Sequence, residues 1–275
     1  MTAFHPPIDT DQGAVILNYI YFATKTAVEA GAILKDNLGK VSEIEFKGKN
    51  NLLTEVDKLS EETIIRRIRE KFPSHDILAE ESGRHSHSQS PDHVWIIDPL
   101  DGTTNYAHAY PFFAVSIALE IAGEIKAGVV YDPVKDEMFA AEQGSGAFLN
   151  GKPIRVSDSL KLSESHLATG FVHESSKMVE DNLKHFANFI RKSRAVRRDG
   201  SAALDLCYVA CGRFDGFWEL GLNPWDTAAG VLIIREAGGL VTNLSGGEYD
   251  LYVKEILASN SHIHGEMINV LTIAE

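Results

Sequence analysis

A short apolar strand that runs straight into acid constrains this chain more than any other feature. In the run Trp95-Ile96-Ile97-Asp98-Pro99-Leu100-Asp101-Gly102-Thr103-Thr104-Asn105-Tyr106, buried-strand residues deliver two carboxylates into a turn made by proline and glycine. Two hydroxyls and an amide follow at once. Strand ends and helix starts are where an α/β protein builds its site. Asp-Pro and Asp-Gly are also common turn pairs, but a turn needs one of them, not two acids behind a buried strand. With no basic residue beside them, the two acids point to a divalent cation. Carboxylates without histidine or thiolate favour a hard ion such as Mg²⁺ over Zn²⁺. The backbone amides around Gly102 and Thr103 suit a phosphate lying against that ion.

Three further acids sit at comparable places. Ile77-Leu78-Ala79 reads as a short strand ending in Glu80-Glu81-Ser82. A solvated acidic loop explains the Glu pair alone, but the strand-then-acid order repeats that of Asp98 and favours Glu80 as a ligand. Asp226 follows Trp225 and opens an apolar helical stretch, where an acid in the first turn serves equally well as a cap. Asp57 stands three residues after Thr54, the spacing of a capping box. Its alternative is to orient a nucleophilic water. Cap and ligand are compatible roles, and residue patterns alone leave both open.

Composition narrows the partners. The formal net charge of −13 opposes general binding to nucleic acid or to an anionic membrane. An anionic substrate is then compatible only if bound cations invert the potential locally. Cys207 and Cys211 are the two cysteines. Without a second Cys/His pair at ligand spacing they read as small buried apolar residues, and the chain reads as cytoplasmic, with no signal peptide and no transmembrane segment. His85 and His87, in a polar loop, read as solvent-exposed.

The coarse pattern predicts a loose leader over residues 1–12, then a helix from Gly13 to about Leu38 with Gly39 as its stop. A loop follows around Lys47, Lys49, Asn50 and Asn51. A second helix runs from Thr54 to about Phe72, with Leu59, Ile64, Ile65 and Ile68 facing inward. A polar loop over 83–92 precedes the strand Val94–Ile97. A β-meander spans 114–156, with strands at 114–121, 125–131, 137–142 and 147–149. The second half alternates helices at about 178–191, 202–210, 227–237 and 264–273 with short strands at 216–218, 240–242 and 256–259. A meander followed by a helix–strand half predicts a layered α/β protein with two sheets. Residues 1–155 form an N-terminal α+β half, 156–275 form a C-terminal α/β half, and the site lies between them.

The run 95–106, the Glu80-Glu81-Ser82 element and Pro224-Trp225-Asp226-Thr227-Ala228-Ala229-Gly230 together resemble the signatures of the inositol monophosphatase family. Glu236-Ala237-Gly238-Gly239 strengthens the match, and Arg198-Asp199-Gly200-Ser201-Ala202-Ala203-Leu204-Asp205-Leu206 resembles its bacterial branch. The resemblance runs from about the first helix to the strand near Ser259. It implies an α-β-α-β-α sandwich of the sugar-phosphatase type, with an antiparallel meander sheet first and a smaller mixed sheet second. It implies one Mg²⁺ on Glu80, Asp98 and the Leu100 carbonyl, and a second on Asp98, Asp101 and Asp226. A weaker third ion near Glu80, inhibition by Li⁺ and a homodimer are implied as well.

By the same resemblance Asp57, Thr103 and Glu80 serve catalysis, Asp57 and Thr103 by positioning the attacking water. Gly102 and Thr103 hold phosphate oxygens. Gly200, Ser201, Ala202, Glu219 and Asp226 line the substrate, with Glu219 accepting from ring hydroxyls of a small phosphorylated polyol. The implied reaction is direct attack of water on myo-inositol 1-phosphate. Asn51 departs from the family pattern, which often has aspartate there, and the departure bears on any third-ion site on the 47–53 loop. Thr104-Asn105 resembles the inositol branch, whereas nucleotide-type relatives tend to carry a lysine. Fructose 1,6-bisphosphate stays open, because Arg197 or Arg198 offers charge for a second phosphate. The cluster Arg191, Lys192, Arg194, Arg197 and Arg198 reads first as a solvated edge. Its alternative is a face that docks RNA or an acidic protein.

Overall fold

The computed structural model describes residues 11–40, 44–47, 51–86, 92–171 and 176–273, with 11–18, 44–47 and 51–54 described as backbone only. Helical spacing of Ile20, Ala23, Ala27, Ala30 and Leu34 makes the buried stripe of α1 (Asp11–Asn37). The leader expected over 1–12 thus gives way to helix at Asp11, and residues 1–10 lie outside the description. The segment expected as a loop is instead a ribbon of β1 (Ile44–Lys47) paired antiparallel with β2 (Asn51–Thr54). Ile44, Phe46, Leu52 and Leu53 carry the strand pattern that the intervening Lys and Asn residues obscure. The reading of Asn51 toward a third ion falls on a side chain outside the described residues. Helix α2 (Glu55–Lys71) buries Asp57, Ser60, Ile64 and Ile68 along one stripe. Leu59 lies off that stripe and is 48% exposed, contrary to the inward placement expected of it.

Strand β3 (Asp76–Ala79) turns back into β4 (Gly83–His85), an edge hairpin where a loop was expected. Next come β5 (His93–Asp101), the one-turn helix α3 (Thr103–Ala107), β6 (Ala114–Ile121), β7 (Glu124–Asp132), β8 (Glu137–Glu142), β9 (Gly146–Leu149) and β10 (Lys152–Ile154). They form an eight-stranded sheet in the order β10-β9-β8-β7-β6-β5-β3-β4, antiparallel throughout except for the parallel β3–β5 pair. The second half begins with β11 (His166–Thr169), α4 (Ser176–Lys192), β12 (Ala195–Arg197), α5 (Ala202–Ala210) and β13 (Gly216–Leu220). It ends with α6 (Pro224–Glu236), β14 (Leu240–Thr242), β15 (Glu255–Ser259) and α7 (His264–Leu271). Its mixed sheet has the order β12-β11-β13-β15-β14, with β12, β11 and β13 parallel and β15 antiparallel to both neighbours.

Alternation along the strands builds the layers. On β5, Trp95 and Ile97 face α1 and α2, while Val94 and Ile96 face α5 and α6. On β13 and β15, Phe217, Ile256 and Ala258 face that same α5–α6 layer from the other side. Trp218 and Leu257 face outward onto Phe189 of α4 and Met267 of α7. The result is a five-layer α-β-α-β-α sandwich, as the sequence led us to expect. Each fully buried side chain of this size contributes about 1.5–3 kcal/mol. Among the described residues no helix is long and apolar enough to cross a membrane.

Candidate active site

The site begins where β5 loses its register with β6. Asp98 pairs with Ser116 and Asp101 with Ala114, and the ladder is irregular between them. Such a bulge re-aims side chains at a strand end, and here both acids turn to the same end of the sheet. Asp98 is 1% exposed, and its Oδ1 accepts from the Leu100 amide at 3.0 Å. Gly102 then takes φ 98°, and a Cβ there would stand 3.0 Å from the Phe112 carbonyl and 3.2 Å from that of Gly200. Only glycine fits both the angle and the space.

Two helix starts close on these acids. Ser201, the N-cap of α5, donates its hydroxyl to Asp101 Oδ2 at 2.5 Å, and the Ala203 amide donates to the same oxygen at 2.8 Å. Asn223 caps α6, whose first residue is Pro224; Asp226 Oδ2 accepts the Asn223 amide at 2.7 Å, completing a capping box. Asp226 therefore has the cap role and a place in the acid cluster together. One carboxylate oxygen from each of Asp98, Asp101 and Asp226 lies within 4.8 Å of the other two.

Among protein charges alone, this cluster resists ionisation. Burial pushes Asp98 well above the usual carboxylate range, and the charges of Glu80, Asp101, Asp226 and Asp57 push it further. Asp226 is raised well above that range by burial and then by Glu80 and Asp101, against the Asn223 amide. Burial brings Asp101 up to about 6, with the Ser201, Ala203 and Ala202 hydrogen bonds holding it down. Like charges this close cannot all ionise without a counter-charge. A divalent cation supplies one, and an all-carboxylate donor set suits a hard cation. The residues present fit such an ion.

Of the other residues singled out in the sequence, Asp57 is fully buried in the first turn of α2. Ser60, one turn on, donates to the Pro99 carbonyl at 2.9 Å and docks that turn onto the end of β5. Glu80 follows β3, half-buried, and its charge acts on Asp98 and Asp226, although the 4.8 Å triad does not include it. The Leu100 carbonyl accepts the Thr103 hydroxyl at 3.2 Å. Glu219, on β13, is 5% exposed; burial and the charge of Asp101 push its carboxyl up to about 8, against the pull of Arg198. Gly200 takes φ 86° directly before Ser201 and Ala202.

Arg191, Lys192, Arg194, Arg197 and Arg198 are all exposed, as a solvated edge requires. Cys207 is buried and Cys211 half-buried. His85, expected to be solvent-exposed, is half-buried, and its Nε2 bonds to the Ser82 hydroxyl at 2.6 Å at the surface. His87 lies outside the described residues. Two supporting roles had no sequence signal. Ser201 holds Asp101 across a separation of 100 residues. Asn105 Nδ2 donates to the carbonyls of Phe112 and Asp199, each at 2.8 Å, and of Gly200 at 3.3 Å, stapling the 199–200 turn to α3.

A five-layer sandwich whose strand ends and helix starts gather carboxylates beside an amide-rich turn offers places for a divalent cation and for a phosphate. The family model of the inositol monophosphatase family matches residues 17–274. The chain belongs to that family. It is 43% identical to an inositol-1-monophosphatase of Synechocystis over 272 residues, covering 98% of this chain and 94% of the relative. It is also 43% identical to a Nus factor SuhB of Salmonella typhimurium, covering 90% and 92% of the two chains. The crystal structure of the extragenic suppressor protein suhB from Bartonella henselae superposes with a TM-score of 0.89 at 41% identity, covering 95% of this chain and 100% of that one.

Proposed function

We propose that this phosphatase hydrolyses myo-inositol 1-phosphate and related phosphate monoesters to the free polyol and phosphate, in a Mg²⁺-dependent reaction. The carrying observation is the Asp98–Asp101–Asp226 triad within 4.8 Å, its first two members buried and the third half-buried, set against the Gly102–Thr103 turn. Glu80, Asp98 and the Leu100 carbonyl would hold one ion, and Asp98, Asp101 and Asp226 a second, with a weaker third beside Glu80. When bound, such ions neutralise phosphate oxygens and make water a nucleophile at neutral pH. Asp57 and Thr103, with Glu80 beside them, orient the attacking water. The Gly102 and Thr103 amides take phosphate oxygens. Gly200, Ser201, Ala202 and Glu219 line the polyol. Li⁺ inhibits by replacing the more weakly held ion.

In this reading the halves 1–155 and 156–275 act together: the first supplies Asp98 and Asp101, the second Asp226 and Glu219. The protein works as a cytoplasmic homodimer. The test is phosphate release from inositol 1-phosphate with Mg²⁺, with EDTA, and in Asp98→Asn. Activity that needs the metal and vanishes in the variant is the expected result. Metal-independent turnover would sink the proposal, and a strong preference for fructose 1,6-bisphosphate would replace its substrate.

A second reading draws on the exposed Arg191–Arg198 face and on the relative named as a Nus factor. It gives that face a separate docking role toward RNA or an acidic protein. Charge reversal at Arg197 and Arg198 separates the two, since loss of such a partner with turnover intact supports the second role.

A further inference from the structure

Glu219 has an unusual seat. No hydrogen bond among the described residues holds its carboxylate. Instead the carboxylate lies across the bare α-carbon of Gly170, where a Cβ would stand 2.3 Å from both oxygens and 2.4 Å from Cδ. The backbone of Gly170 is outside the left-handed region, so its conformation alone would accept alanine. What excludes a side chain there is Glu219.

The seat itself is fixed by a closed set of buried hydrogen bonds. Asn182 of α4 donates Nδ2 to the Gly170 carbonyl at 2.6 Å, and its Oδ1 accepts the Trp218 indole at 2.7 Å. Thr169 donates its hydroxyl to the Trp218 carbonyl at 2.7 Å, across the β11–β13 pairing. Phe189, two turns along α4 from Asn182, stacks on Trp218 with ring centroids 4.0 Å apart. Asn182, Thr169 and Trp218 are each 2% exposed or less. Gly170 and Glu219 are thereby held at one relative height.

We infer that Gly170 is a specificity-determining position: its missing side chain sets where the Glu219 carboxylate meets the polyol end of the substrate. The inference rests on the reading of Glu219 as the polyol contact. With alanine at 170, the carboxylate must withdraw by about 1 Å to reach the ordinary contact range of 3.4–4 Å. It is the far end of a flexible side chain, so recognition suffers before folding does. A displacement of about 1 Å at a positioning group changes catalytic parameters by up to ~100-fold. A pocket built to hydrogen-bond a hydroxyl discriminates through that group.

The experiment measures steady-state kinetics on inositol 1-phosphate and on p-nitrophenyl phosphate, an ester with no polyol, for wild type, Gly170→Ala, Glu219→Ala and the double variant. Gly170→Ala should raise KM for inositol 1-phosphate by about tenfold or more. Its kcat and its turnover of p-nitrophenyl phosphate should stay within about twofold, and the KM change should disappear in the Glu219→Ala background. An unchanged KM in Gly170→Ala, or the same fold-change without Glu219, overturns the inference. If Gly170→Ala alone fails to fold, recovery of folding in the double variant supports the seat, and failure there overturns it. A Glu219→Ala enzyme with unaltered KM defeats the polyol reading itself. That outcome differs from one in which Glu219→Ala raises KM while Gly170→Ala does not, which defeats only the seat.

Discussion

Asp101 stands at the end of a buried strand with one oxygen already engaged by a hydroxyl and an amide of α5. Both donors favour its charged form, and both act against the burial that lifts it to about 6. Ser201→Ala removes the stronger donor, so the proton competes better with a cation for that carboxylate. Groups that hold a metal ligand in place are typically worth 10–100-fold in metal affinity. If the proposed Mg²⁺ dependence holds, the Mg²⁺ concentration for half-maximal phosphate release should rise by about that factor in Ser201→Ala and return toward wild type in Ser201→Thr. An unchanged Mg²⁺ titration would mean that Ser201 serves only the start of α5.

At the level of elements, the site depends on staples between segments that share no sequence pattern. Asn105 joins α3 to the turn before α5 through two carbonyls, and to the Phe112 carbonyl before β6 through a third. Asn105→Ala leaves these partly buried acceptors short of a donor, which costs about 1–3 kcal/mol. Urea unfolding should show that loss, and full retention of stability would mean that other donors replace the amide. The same contrast explains what was legible beforehand. Long periodic segments such as α1, and β6 to β8, announce themselves by apolar spacing. Of the three-residue strands, β14 was read from its apolar residues, whereas β4 falls inside a stretch read as loop and β12 inside the basic run read as a solvated edge. Asp98, Asp101 and Asp226 were readable because each sits at a local strand end or helix start. Their convergence, and the Ser201 bond to Asp101, depend on contacts between distant parts of the chain that local spacing does not encode.

Across the whole molecule, stability should depend on pH through a histidine that is not part of the acid cluster. His264, at the start of α7, is 3% exposed, with Nε2 bonded to the Thr242 hydroxyl and Nδ1 to that of Ser259. Burial lowers its pKa from 6.5 to about 4. In the unfolded chain the ring takes a proton below about 6.5, and in the folded protein only below about 4, so acid favours unfolding across that window. The contribution is present in full above pH 6.5 and lost as pH falls to about 4, amounting to about 3 kcal/mol. Urea unfolding at pH 7 and pH 5 should therefore show a smaller pH penalty in His264→Gln than in wild type. Equal penalties would refute this assignment.

The capping box at Asn223 and Asp226 has one more consequence, best put in the language of polymers. A cation shared by Asp98 and Asp226 would act as a reversible cross-link between chain positions well over a hundred residues apart. Only the folded chain brings those two positions together, so such an ion would stabilise the fold by mass action. Because Asp226 also begins α6, the central helix layer would then be tethered to the large sheet by the ion that serves the reaction. On the proposed Mg²⁺ dependence, free Mg²⁺ would accordingly set how tightly α6 is held to the large sheet.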